Sequence, residues 1–123
     1  MSTIGFIAAV ILSIFYIVYK RKGQLSVKKA REYFNNGAIV VDVRSKAEYD
    51  AGHLSQAVNA PVDTIAGTIA GIVYDRTKVV LLHCQNGGRS QKAADRLKAM
   101  GYRNAYNLGS YGRAFYILTG RKF

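Results

Sequence analysis

The pattern of apolar and polar positions divides the chain into unlike parts. Residues 1–19 carry no charge, and residues 4–19 are almost wholly apolar. At about 1.5 Å of rise per residue such a run makes roughly 28 Å of helix, close to a bilayer core of about 30 Å. Tyr16 and Tyr19 fall near its charged end, where amphipathic rings prefer an interface. The uncharged start and the Tyr19-Lys20-Arg21-Lys22 flank argue against a cleaved signal peptide, and the missing polar face argues against a buried core helix. The expectation is a transmembrane anchor over residues 1–19 in contact with membrane lipid, a basic juxtamembrane linker over 20–24 and one domain over 25–123.

Beyond the linker the periodicity alternates. Ser26 can cap a helix over residues 27–34 that places Val27, Ala30 and Phe34 on one face, with Gly37 as its stop. Residues 38–43 form an apolar, β-branched run that suits a strand buried on both faces. Residues 57–61 read as a short strand ended by the only proline, and residues 62–70 can be helical. Residues 78–83 repeat the buried-strand pattern. Residues 91–100 form an amphipathic helix, with Ala93, Ala94, Leu97 and Met100 opposite Lys92, Asp95, Arg96 and Lys98, and Gly101 ends it. A strand over 105–108 and a closing helix within 109–118 complete the series. Strands alternating with helices predict an α/β domain with a largely parallel sheet.

Charge sharpens the picture at one place. The formal net charge is +11, and Lys20, Arg21, Lys22, Lys28, Lys29 and Arg31 put about half of it just after the apolar segment. Positive residues on that side predict a single-pass cell-membrane protein whose C-terminal domain is cytoplasmic. No nucleic-acid recognition motif accompanies the charge, so no nucleic-acid partner is expected. The chain holds 1 cysteine and 2 histidines, too few for a multi-thiolate metal site, and no metal is expected.

The candidate chemistry lies in His83-Cys84-Gln85-Asn86-Gly87-Gly88-Arg89-Ser90, which joins a buried strand to an amphipathic helix. A thiol there sits at the carboxyl end of a parallel strand, where open α/β sheets place their ligands. Small and glycine residues let the backbone curl with N–H groups turned inward, and the helix start and Arg89 add positive potential. Each favours a thiolate at Cys84. His83 is adjacent, but neighbouring strand residues point to opposite faces, so a Cys–His pair is not expected.

With Asp42-Val43-Arg44, Glu48-Tyr49, Gly52-His53-Leu54, residues 57–61 and residues 84–90 taken in order, the chain resembles a single-domain rhodanese from about residue 25 to 118. The resemblance implies a five-stranded parallel sheet flanked by helices. It also implies a thiosulfate sulfurtransferase-like enzyme, with Cys84 as catalytic residue and Gln85, Asn86, Gly87, Gly88, Arg89 and Ser90 as the loop that binds substrate and persulfide. The expected partners are a small anionic sulfur donor and a thiol or cyanide acceptor; no cofactor is expected. Asp42 and Arg44 are supporting residues: Asp42 through an ion pair or loop hydrogen bonds, Arg44 through the same or by attracting the donor. His53 fits a structural hydrogen bond better than a base. The Cys-x-x-x-x-Arg spacing is one residue shorter than in related phosphatases and arsenate reductases, which suits one sulfur atom better than a tetrahedral oxyanion. A non-catalytic, membrane-tethered interaction module is the competing class. Gly109-Ser110 stands where many rhodaneses have a Gly-Gly pair, and Phe115 about where they have tryptophan.

Overall fold

The computed structural model describes residues 2–21 and 24–122. Helix α1 (Thr3–Arg21) leads the chain, and its side chains over residues 3–18 are exposed. The remaining elements alternate: α2 (Val27–Asn35), β1 (Ile39–Asp42), α3 (Lys46–Ala51), β2 (Ala57–Asn59), α4 (Ile65–Ile72), β3 (Val80–His83), α5 (Gly88–Ala99), β4 (Ala105–Gly109) and α6 (Tyr111–Thr119). The strands pair in parallel in the order β2-β1-β3-β4.

The alternation of side chains splits the core in two. Val41, Val43, Val80, Leu82 and Cys84 share one face with Ile65 and Ile69 of α4 and Ala93, Ala94 and Leu97 of α5. Val40, Leu81 and Leu108 share the other with Ala30 of α2 and Ala114 and Ile117 of α6. Helices therefore cover both faces of the sheet, and this is why β1 and β3 lack a polar side.

Two expectations are corrected. Four strands form the sheet among the described residues, not five. Among the described residues the edge beyond β4 holds a single parallel bridge, Gln24 to Asn107. Leu25 N–H donates to Asn107 O at 3.1 Å, and the Arg113 guanidinium donates to the carbonyls of Leu25 and Leu108. One bridged residue is too short a pairing to count as a strand. Second, among the described residues no helix is long and apolar enough to cross a membrane. The single-pass placement is overturned, and with it the cytoplasmic orientation. Part of the expected linker, Lys22 and Gly23, lies outside the described residues.

Local boundaries have local causes. Ser26 caps α2 by accepting from Lys29 N at 3.2 Å. The chain stays extended past β2 because Ala60 N donates to Asp42 O at 2.9 Å and Val62 N to Val43 O at 3.0 Å, so α4 starts at Ile65 rather than at residue 62. Helix α3 was not anticipated, although Ser45 and Glu48 form a reciprocal capping box that marks its start.

Candidate active site

Strand β3 ends at His83, and the chain turns through Cys84 to Gly87 before α5 begins at Gly88. The turn depends on Gly87, whose φ of +93° lies in the left-handed region and makes it the N-cap of α5. This conformation aims Gly87 N–H at the Cys84 sulfur, at 3.0 Å. Ser90 N–H points at the same sulfur from 3.4 Å, and Ser90 Oγ lies 3.4 Å away. Cys84 is fully buried, whereas Gln85, Asn86 and Gly88 are exposed. Burial by itself pushes the Cys84 thiol up. Hydrogen bonds from the Ser90 hydroxyl and from the backbone N–H groups of Ser90, Asn86 and Gly87 outweigh it, and the thiol lies below its ordinary value.

The loop is tied to its surroundings on both sides. Tyr111 N–H donates to Gln85 O at 3.2 Å, and Asn86 bridges Ser110. Asn86 Oδ1 accepts from Gly88 N at 3.4 Å. Ser90 Oγ meets Asn107 Oδ1 at 2.6 Å, and Asn107 Nδ2 donates to Gly87 O and to Gln91 Oε1, each at 3.2 Å. Asn107 is buried in β4 and was not singled out from the sequence. Its one available signal was a polar residue inside an otherwise apolar strand.

Arg89 is held by a carboxylate at the mouth of the loop. Its guanidinium forms a two-pronged pair with Glu48, at 2.6 and 3.0 Å. The pair is half-buried, and Arg89 holds the Glu48 carboxyl down at about 2. The hydrogen bonds at the sulfur come from Gly87 and Ser90. Glu48 thus joins the site rim, with α3 as the element that delivers it.

Asp42 ends β1 and Arg44 follows two residues later. Arg44 Nε donates to both Asp42 oxygens at 3.1 Å, Arg44 Nη2 donates to Asp42 Oδ2 at 2.8 Å, and Nη2 also donates to Gly52 O at 2.7 Å. Its guanidinium lies 4.8 Å from the Tyr111 ring centre. These bonds and its 6% exposure give Arg44 the structural ion pair that was one of its two expected roles. His83 points Nδ1 at the Cys84 carbonyl, 3.3 Å away, and not at its sulfur. Its Nε2 is 3.8 Å from Asp42 Oδ2, and burial lowers its pKa more than Asp42 raises it. His53 stacks on Tyr49 at 3.7 Å and donates from Nδ1 to Tyr49 O at 2.8 Å. Among the described residues no cluster of His, Cys, Asp or Glu could hold a metal.

Known proteins are similar to this chain in sequence and fold. The rhodanese-like domain family matches residues 26–111. The chain belongs to the rhodanese-like family. It is 32% identical over 75 residues to a tRNA uridine(34) hydroxylase of Sodalis glossinidius, covering 58% of this chain and 21% of that protein. It is 33% identical over 89 residues to the protein of that name from Hamiltonella defensa, covering 69% and 25%. The chain therefore spans about a fifth to a quarter of the length of these curated relatives. Among solved structures, a rhodanese from E. coli determined with anions superposes with a TM-score of 0.59 at 31% identity, over 61% of this chain and 88% of that one. A human single-domain sulfurtransferase superposes with a TM-score of 0.64 at 24% identity, over 76% and 95%, and shares the fold. Residues 26–111 thus form a rhodanese-like domain.

Proposed function

We propose that this rhodanese domain moves sulfane sulfur from a small anionic donor such as thiosulfate to a thiol or cyanide, through a persulfide on Cys84. The observation that carries the reading is the convergence of Gly87 N–H and Ser90 N–H on the Cys84 sulfur, at 3.0 and 3.4 Å. Fixed backbone donors stabilise an anion at no reorganisation cost, and they serve a thiolate and a persulfide alike. In the first half-reaction the Cys84 thiolate attacks the outer sulfur of thiosulfate. A sulfur–sulfur bond forms at Cys84, the bond within thiosulfate breaks, and sulfite leaves with the electron pair. In the second, cyanide or a thiolate attacks the outer sulfur of the persulfide, and the Cys84 thiolate departs. No external oxidant or reductant enters.

Six residues from Cys84 to Arg89 enclose one sulfur more readily than a tetrahedral phosphate, which favours sulfur transfer over phosphate hydrolysis. An intact loop with a lowered thiol pKa favours catalysis over a non-catalytic module. The hydroxylation named for the longer relatives is outside the proposal. Intact-mass measurement after thiosulfate treatment tests it: one sulfur should be added to the wild-type chain and removed by cyanide, with thiocyanate formed. Cys84→Ser should lose both adduct and turnover. Arg89→Ala should reduce turnover far less, because the guanidinium is paired with Glu48 and the backbone donors remain. A folded, reduced chain that gains no sulfur from thiosulfate or a protein persulfide, or that hydrolyses aryl phosphates instead, refutes the reading.

A further inference from the structure

The hydrogen bonds around Ser90 contain a conflict over one proton. A hydroxyl has a single proton and two lone pairs. Ser90 Oγ is surrounded by Asn107 Oδ1 at 2.6 Å, Gly87 O at 3.2 Å, Cys84 Sγ at 3.4 Å and Gly109 O at 3.5 Å. The three oxygens can only accept. The Asn107 amide has one orientation that satisfies its neighbours: Oδ1 receives Gly109 N–H at 2.8 Å while Nδ2 donates to Gly87 O and Gln91 Oε1. A flipped amide would set donor against donor at Gly109 and acceptor against acceptor at Gly87. Oδ1 is therefore the acceptor facing Ser90, and the shortest contact holds the Ser90 proton.

We propose that Asn107 competes with Cys84 for the single hydroxyl proton of Ser90, which makes Asn107 a positioning residue for the nucleophile. In the resting thiol, Cys84 S–H donates to a Ser90 lone pair, and Ser90 O–H donates to Asn107 Oδ1. Every polar atom of the chain Cys84–Ser90–Asn107 is then used. When Cys84 loses its proton to water or a solvent base, the sulfur becomes acceptor only. Ser90 then turns its O–H from Asn107 Oδ1 to the sulfur, and Oδ1 keeps the Gly109 N–H. Forming the anion therefore breaks the 2.6 Å bond, and Asn107 holds the resting state toward thiol. Cys84, Ser90 and Asn107 are all buried, so water does not replace the lost partner readily. The charged and titratable groups around the sulfur are Arg89 of α5 with Glu48 of α3, His83 of β3 with Asp42 and Arg44 on and just after β1, and Tyr111 of α6. No variant below touches any of them.

The inference rests on the sulfur-transfer reading only in taking Cys84 as the nucleophile, and its test uses no sulfur donor. Cys84 is the single cysteine, so the S–H stretching band in the infrared reports it alone. At acidic pH the wild-type band should lie at the lowered frequency of a donating thiol, and Ser90→Ala should move it to that of a free one. A wild-type band already at the free position overturns the proposal, whatever the variants do. Titration of thiolate absorbance then isolates Asn107. Asn107→Ala should shift the midpoint to lower pH, and the same change in a Ser90→Ala background should leave it where Ser90→Ala alone puts it. A shift to higher pH, or an equal shift in both backgrounds, would make Asn107 a support of loop geometry only and overturn the competition. Failure of sulfur transfer with both of these results intact would refute the sulfurtransferase reading alone.

Discussion

Gly87 and Gly88 are neighbours in the loop, yet alanine should act oppositely at the two. At Gly87 an added Cβ would stand 3.4 Å from Gly109 Cα and 3.5 Å from Gln24 Nε2, which is ordinary contact. Space is therefore not the obstacle. The backbone is, because φ is +93° and a residue with a Cβ pays about 1–2 kcal/mol in the left-handed region. Gly87→Ala should lower the melting temperature by roughly 4–8 °C per kcal/mol for a domain of this size. Relief of the strain would rotate Gly87 N–H away from the Cys84 sulfur, so thiosulfate:cyanide turnover should fall as well. At Gly88 the φ is not positive, and a Cβ would meet only Asn86 Oδ1, at 3.7 Å. This position is the first residue of α5, where alanine is the better helix former. Gly88→Ala should leave the melting temperature unchanged or raise it, and leave turnover near wild type. Differential scanning calorimetry and a thiocyanate assay on the two variants decide the matter. A Gly87→Ala domain as stable and active as wild type, or a Gly88→Ala domain as impaired as Gly87→Ala, would refute the argument from backbone conformation.

Two further outcomes follow from the ion pairs. Asp42→Ala strands the buried Arg44 guanidinium without its carboxylate, so urea denaturation should show a loss on the order of 3–5 kcal/mol. Glu48 is lowered from 4.5 to about 2 by Arg89, so its ion pair stabilises the fold fully above about pH 4.5 and loses that effect as pH falls through about 2. Denaturation midpoints of wild type and Glu48→Gln should therefore differ most at neutral pH and converge as pH falls from 4.5 toward 2; a constant difference across that window would rule the pair out as the cause.

The sequence by itself determined the α/β alternation, because local periodicity records whether a segment is buried on one side or two. The runs over residues 38–43 and 78–83 contain β1 and β3, and the apolar stripe of Ala93, Ala94 and Leu97 is the face α5 buries. The loop was legible for a similar reason: Cys84, Gly87 and Ser90 lie within seven consecutive residues, and a strand-to-helix turn acts over just that range. Tertiary structure decided what depends on distant residues. Glu48 lies forty-one positions before Arg89, and only the tertiary fold brings α3 to the mouth of the loop, where Glu48 pairs with the guanidinium. Asn107 reaches Ser90 because β4 pairs beside β3, a neighbour relation that no local pattern encodes. Among the described residues the edge beyond β4 carries one bridge, from Gln24 to Asn107, and that pairing of distant residues is likewise not written in any local pattern. Hydropathy along residues 1–19 pointed to a membrane span, but among the described residues no helix is long and apolar enough to cross a membrane.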